Sequence, residues 1–168
     1  LNDRELFELY KEQVYHFCYY YMKNRADAED ITQEVFVKVI LADKSKVTNM
    51  KAWILRIASN ECNSVLRRRK NGILKEIRNF VLSKSDNANP VEQQLTTQET
   101  KQEMAEVYKQ LPDKIRTVIV LRYINELSIA EIAKTINIPE GTVKSRIHKG
   151  LKLLNKLVES RPKEMIYS

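Results

Sequence analysis

Apolar residues recur every three to four positions along most of the chain, and few runs alternate strictly, so the pattern predicts one helix after another. Residues 3–22, rich in Leu, Phe and Tyr, read as a first helix. Its Tyr19-Tyr20-Tyr21 run reads as core packing rather than a stacking platform. A second helix starts near Arg25, with Ala28, Ile31, Val35 and Val39 on its apolar side and Phe36 beside them. Its polar side carries Asp27, Asp30, Gln33 and Glu34. "LADKSKVTNM" is a connector, and a third helix covers 51–70. After Lys70 the composition turns polar, which predicts a linker over 72–88. Asn89, Pro90 and Glu92 then have the order of an N-cap, N1 and N3, so a helix is expected from about 90 to Leu111-Pro112. Another covers Lys114 to Ile124, and the apolar run Thr117–Tyr123 belongs to that helix rather than to a strand. Ser128 and Glu131 have capping-box spacing ahead of a short helix. "NIPEG" breaks it, and a last helix runs from Glu140 to about Glu159. The expected fold is all-α, with two small helical domains over 1–71 and 89–168 joined by a flexible linker.

The third helix has an unusual polar side. Ile54, Ile57, Ala58, Cys62 and Val65 form its apolar stripe, and Arg56, Asn60, Asn63 and Arg67 fall opposite, with Ser64 alongside. A side meant only for solvent favours Glu, Lys and Gln. Asn and Ser compete for backbone hydrogen bonds and weaken a helix. The helix then ends in Arg67-Arg68-Arg69-Lys70, which suits either the negative end of the helix dipole or a phosphate-bearing partner. Trp53 fits a base-stacking role and a core-capping role equally well.

The segment "SIAEIAKTINIPEGTVKSRIHKGLKLL" is a helix-turn-helix signature. Ile129, Ile132, Ala133 and Ile136 serve the core from the first helix, and Val143, Ile147, Leu151 and Leu154 from the second. The outward side of the second helix carries Thr142, Ser145, His148, Lys149, Lys152 and Lys156, flanked by Lys144 and Arg146, with no acid among them. Such a helix suits the major groove. Ser145 and Lys149 are placed nearest base edges, while Lys152 and Lys156 serve phosphate or solvent. The competing reading is a helical hairpin with a solvated basic side.

Bulk composition narrows the partner. The 168 residues carry a net charge of +7, with 43% apolar and 30% charged residues, which favours an anionic partner without choosing among nucleic acid, acidic protein and membrane surface. Cys18 and Cys62 stand alone and read as small apolar residues of a reducing cytosol. There is no signal-peptide pattern, and no apolar run approaches the roughly 20 residues of a membrane span. Two histidines, no HExxH, no P-loop, no Gly-rich nucleotide fingerprint and no zinc spacing leave no cofactor or metal to expect.

Two stretches together resemble a known family. "LPDKIRTVIVLRYINELSIAEIAKTINIPEGTVKSRIHKGLKLL" is similar to the fourth conserved region of bacterial sigma factors, and "RADAEDITQEVFVKVI" followed by "WILRIASNECNSVLRRRK" is similar to the second. Their order, the short linker and the lack of a region ahead of the first resemble the extracytoplasmic-function (ECF) group. The resemblance implies a specificity subunit without a catalytic site of its own. Its first domain would dock on the clamp helices of core RNA polymerase through Asp30, Gln33 and Glu34. The same domain would engage the melted −10 promoter element through Arg56, Asn60, Asn63, Ser64, Arg67 and Arg68, with Asn60 at the pocket for a flipped base. The second domain would read the −35 duplex through Thr142, Lys144, Ser145, Arg146, His148 and Lys149 and touch the polymerase flap. An anti-sigma partner, often membrane-anchored in the family, is implied as well, so a cytoplasmic protein could be held at a membrane.

Two other readings compete. A one-component helix-turn-helix regulator would pair the same tail with a sensing domain, yet the first half lacks the α/β alternation of a receiver. A small metal-dependent nuclease would have to use the acids of residues 27–34, whose spacing suits a helix surface.

Overall fold

The computed structural model describes residues 1–83 and 99–160. Seven helices make up these residues: α1 (Asp3–Met22), α2 (Arg25–Leu41), α3 (Met50–Ser83), α4 (Glu99–Lys109), α5 (Asp113–Tyr123), α6 (Ile129–Ile136) and α7 (Glu140–Glu159). No strand occurs among the described residues. Local chemistry sets the ends. Asn2 accepts the Glu5 N–H at 2.9 Å and donates its own N–H to the Glu5 carboxylate at 2.9 Å, a complete capping box for α1. Asn24 caps α2 by accepting the Asp27 N–H at 3.0 Å. Ser128 and Glu131 cap α6 reciprocally, as their spacing predicts. The turn into α7 is made by Asn137 at φ 55°, a left-handed conformation that Asn tolerates better than most residues.

α3 is longer than its expected 51–70 span. It continues through 72–83, where the linker was expected to begin. Ile73, Leu74, Ile77, Phe80 and Val81 keep the helical spacing there, and Lys75, Glu76 and Arg78 are good helix formers, although those apolar residues are exposed. Residues 84–88 of the expected linker lie outside the described residues, as does the start signal at Asn89, Pro90 and Glu92.

α1, α2 and α3 pack around Val14, Phe17, Cys18, Tyr21, Val35, Ile54, Ala58 and Cys62, all fully buried. Each large side chain among them contributes roughly 1.5–3 kcal/mol by leaving water. α5, α6 and α7 enclose Val118, Ile119, Val120, Leu121, Leu127, Ile132 and Val143. The two sets also touch directly. α1 packs on α4 and α5, α3 packs on α6, and the buried residues form one continuous cluster.

On α7 the core stripe differs from expectation at one place. Val143 and Ile147 are buried and Leu154 is half-buried, but Leu151 is 40% exposed. Gly150 takes the inward position instead, because α5 and α7 come too close there for a side chain. A Cβ at Gly150 would lie 2.6 Å from two carbons of the buried Ile119 and 3.0 Å from Ile115. Gly150→Val should therefore cost about 1–3 kcal/mol despite the gain in helix propensity, measured as a lower melting temperature than that of a Gly141→Val control, where a Cβ meets nothing within 4 Å.

Candidate polymerase and nucleic-acid interface

The burial pattern of α3 follows from its sequence. Ile54, Ala58 and Cys62 turn into the core, which forces Arg56, Asn60 and Arg67 outward, while Asn63 and Ser64 are half-buried at the edge. Arg56, Asn60, Asn63 and Arg67 line one wall of a cleft of about 720 Å³. Lys70 joins them, and the opposite wall is built by Lys109, Lys114, Arg116, Ile136 and Arg146. The six expected −10 residues therefore divide. Ser64 and Arg68 face a second groove, between α2 and α3, with Asp27, Asp30 and Glu34, and Arg67 borders both. Trp53 is half-buried and packs against the core, as a cap does.

On α2, Ile31, Val35 and Val39 anchor one side, which leaves Asp30, Gln33 and Glu34 exposed. None of the three pairs with another described residue. Asp27 behaves differently. It takes a two-pronged ion pair from Arg69, both contacts at 2.6 Å, and the carboxylate pushes the Arg69 guanidinium pKa up. The acid of the first turn and one base of the terminal cluster are thus committed to holding α2 against α3. Lys38 and Glu61 form a second such pair.

On α7, Lys144, Ser145, His148 and Lys149 are exposed on one side and Thr142 is half-buried. The structure separates Arg146 from that set by turning it into the cleft that faces α3.

One residue of this region escaped sequence reasoning. Arg116 is 5% exposed. Its Nε donates to the Tyr108 carbonyl at 3.0 Å, and its Nη2 to those of Lys109 at 2.7 Å and Leu111 at 2.9 Å. Nη1 reaches the Tyr21 carbonyl at 3.4 Å, and the guanidinium lies 4.8 Å from the centre of the Tyr21 ring. Tyr108 and Lys109 end α4 and Tyr21 lies in the last turn of α1, so carbonyls at two helix ends converge on one cation, that of Tyr108 shared with the Leu111 N–H at 3.0 Å. The available signal was phase: Arg116 sits three and four residues before Ile119 and Val120, on the buried side of α5.

Tyr21 completes this junction. Its hydroxyl donates to Asn63 Oδ1 and accepts from the Thr117 hydroxyl at 3.4 Å. Burial pushes the Tyr21 pKa up to about 12. Cys18 and Cys62 are fully buried, and burial, followed by the proximity of Cys18, pushes the Cys62 thiol up, so neither acts as an accessible nucleophile. Among the described residues no three His, Cys, Asp or Glu side chains gather as metal ligands.

Comparison with known proteins decides the family. The Sigma-70 region 2 model matches residues 6–72, and the Sigma-70 region 4 model matches residues 101–154. The ECF RNA polymerase sigma factor SigW of Bacillus subtilis is 35% identical over 162 residues, covering 90% of this chain and 86% of SigW. The chain belongs to the ECF RNA polymerase sigma factors. SigX of the same organism is 30% identical over 171 residues, covering 96% of the chain and 86% of SigX. The fold of this sigma factor is similar to that of Bartonella quintana RpoE, solved with the anti-sigma factor NepR, at a TM-score of 0.67, 21% identity and coverage of 95% and 98%. CnrH, solved with the cytosolic domain of CnrY, gives the same TM-score at 19% identity, with coverage of 95% and 89%. No described helix is long and apolar enough to cross a membrane.

The buried Tyr21 hydroxyl has a consequence for pH. A phenol with a pKa near 10 in the unfolded chain and about 12 in the folded one favours folding below pH 10. That contribution is lost as pH rises towards 12. In denaturant titrations, stability of the native chain should fall more steeply between these values than that of Tyr21→Phe; equal slopes would contradict the burial of this hydroxyl.

Proposed function

We propose that this sigma factor divides promoter recognition between its halves, residues 1–71 and 89–168, and contributes no catalytic group of its own. Asp30, Gln33 and Glu34 dock on the clamp helices of core polymerase. They are exposed and bond no described residue, so nothing within the described chain competes for them. Arg56, Asn60, Asn63 and Arg67 receive the separated −10 strand, with Ser64 and Arg68 on the adjoining groove. Thr142, Lys144, Ser145, His148 and Lys149 lie along the −35 duplex, and Arg146 joins them from the cleft side.

The observation that carries this reading is the row of amides between arginines on α3. Extruding a base costs a few kcal/mol. Short amides that donate and accept recover that cost only when base edges are unpaired, while the flanking guanidinium groups hold phosphates. The helix therefore favours melted DNA over duplex. A one-component regulator has no use for such a face and is not favoured.

Two solved neighbours are bound to an anti-sigma factor or to a cytosolic partner domain. We assign this chain an anti-sigma partner too, and a cytoplasmic site of action that a membrane-anchored partner would confine. The polymerase flap is the further contact of the second half.

Transcription from promoter fragments with purified core polymerase tests the assignment. Asn60→Ala should lower open-complex formation about tenfold, or ~1.4 kcal/mol, and leave −35 duplex binding within about twofold. Lys149→Ala should weaken duplex binding and, where Lys149 meets a phosphate, reduce the salt slope by about one. Unchanged opening by Asn60→Ala would remove the pocket assignment.

Glu34→Lys tests the docking side separately. The reversal should weaken core-polymerase binding about tenfold at unchanged melting temperature, because Glu34 is exposed. Full affinity in a binding titration would place the docking surface elsewhere.

A further inference from the structure

The far end of α3 has no part in the function proposed above. Beyond Lys70 the helix continues to Ser83, and Ile73, Leu74, Ile77, Phe80 and Val81 stand at i, i+1, i+4, i+7 and i+8, one face of the helix. All five are exposed, from 49% at Phe80 to 72% at Val81. None belongs to the residues packed on the core, which stop along this helix at Val65 and Leu66. Cations surround the stripe. Arg67, Arg68 and Lys70 precede it, Arg78 borders it and Lys75 lies on the opposite side, all exposed, and Glu76 is the one acid between residues 67 and 81. We propose that this segment of α3 is an interfacial membrane anchor, which lies in the plane of an anionic phospholipid surface with its stripe below the headgroups and its cations on the phosphates.

The combination of stripe and cations selects lipid. A nucleic acid would use the cations, but a phosphate backbone has nothing to cover five apolar side chains. A protein groove would cover the side chains, but a stable pair of protein surfaces takes roughly 20–30 residues a side, and here five stand together at one helix end. A second copy of this chain meets the same shortage and would also bring like charges together. A bilayer needs no shaped cavity. Binding there grows with apolar area and with attraction to anionic lipid, and the segment supplies both. Arg78, at the border of the stripe, reaches the headgroups while its stem stays with the apolar side chains. The stripe is short, so attachment is reversible and lies on the surface; no described helix is long and apolar enough to span.

Flotation of the full-length chain with lipid vesicles tests this. The chain should bind vesicles of phosphatidylcholine mixed with phosphatidylglycerol about tenfold better than vesicles of phosphatidylcholine alone, and less well as salt rises. Substituting Ile77→Ser and Phe80→Ser together should lower binding to the mixed vesicles about tenfold, at unchanged melting temperature because both side chains are exposed. Insertion is read separately with Phe80→Trp. Its emission should shift to the blue and resist an aqueous quencher once mixed vesicles are added, with the native chain, whose one tryptophan is Trp53, as background. Failure to bind the mixed vesicles would overturn the proposal. So would binding that survives the paired substitution, or an unmoved emission from position 80, because adsorption would then belong to another basic face such as that of α7. Self-association of the native chain that the paired substitution abolishes would overturn it too, by giving the stripe to a second copy.

Discussion

A buried guanidinium holds this molecule together. Removing a charge from water is expensive unless the surroundings replace what water supplied. Arg116 has no carboxylate in hydrogen-bond range, since Asp113 stands 3.6 Å away and is largely exposed. The compensation comes from carbonyls at the ends of α4 and α1 and from a tyrosine ring. The last turn of a helix leaves carbonyls short of donors, and the arginine supplies them, with Tyr108 also accepting the Leu111 N–H at 3.0 Å. One side chain therefore closes two helix ends, one in each half of the chain. The position of α5 against α1, and with it the outlook of the α3 face, depends on that shared solution.

α3 shows how one helix serves opposed demands. Its inner side is ordinary, with small and branched apolar residues that let α1 and α2 approach closely. Its outer side carries the exposed Asn60 and the half-buried Asn63 and Ser64, which cost helix propensity, and of these Asn63 accepts the Tyr21 hydroxyl. The penalty is offset by α3's packed inner side. Local preference is overruled at the positions proposed above to meet bases. The charged residues around them divide in the same way. Asp27 and Arg69 neutralise each other to fix α2 on α3, whereas Asp30, Glu34 and Arg56 remain without partners among the described residues. The first pair is architecture; the unpaired groups stay exposed to solvent.

Much of this was legible in the chain. α1, α2, α5, α6 and α7 begin and end within a residue or two of the positions their periodicity predicts, and the Ser128–Glu131 capping box marks the start of α6 locally, whereas α5 and α7 start after Pro112 and Pro139 with no side-chain cap. The faces of α2 and α7 followed from the same period. The far end of α3 was obscured because Asn71-Gly72 and a polar stretch beyond Ser83 look like a linker, while the apolar spacing from Ile73 to Val81 is not paired with any burial. Leu151 and Gly150 exchanged roles through a close helix–helix approach that no single segment encodes. Arg116 was hidden for a related reason. Its partners lie in two other helices, and a cation in an apolar run gives no hint of which carbonyls will surround it.

The contact between the halves is the least legible feature and the most consequential. Periodicity within each half specifies a core, but nothing local states whether two cores join. Here they join through a junction that mixes apolar burial with unpaired acceptors and opposed cations. A junction made for permanence would have replaced Gln13 and Asn125 with apolar residues and placed acids across from Arg56 and Arg67. Retaining polar groups costs stability, and the cost makes sense only if those groups have another use. On the α3 wall, the cations and amides that line the cleft are the ones proposed above to receive a DNA strand, which gives them that other use.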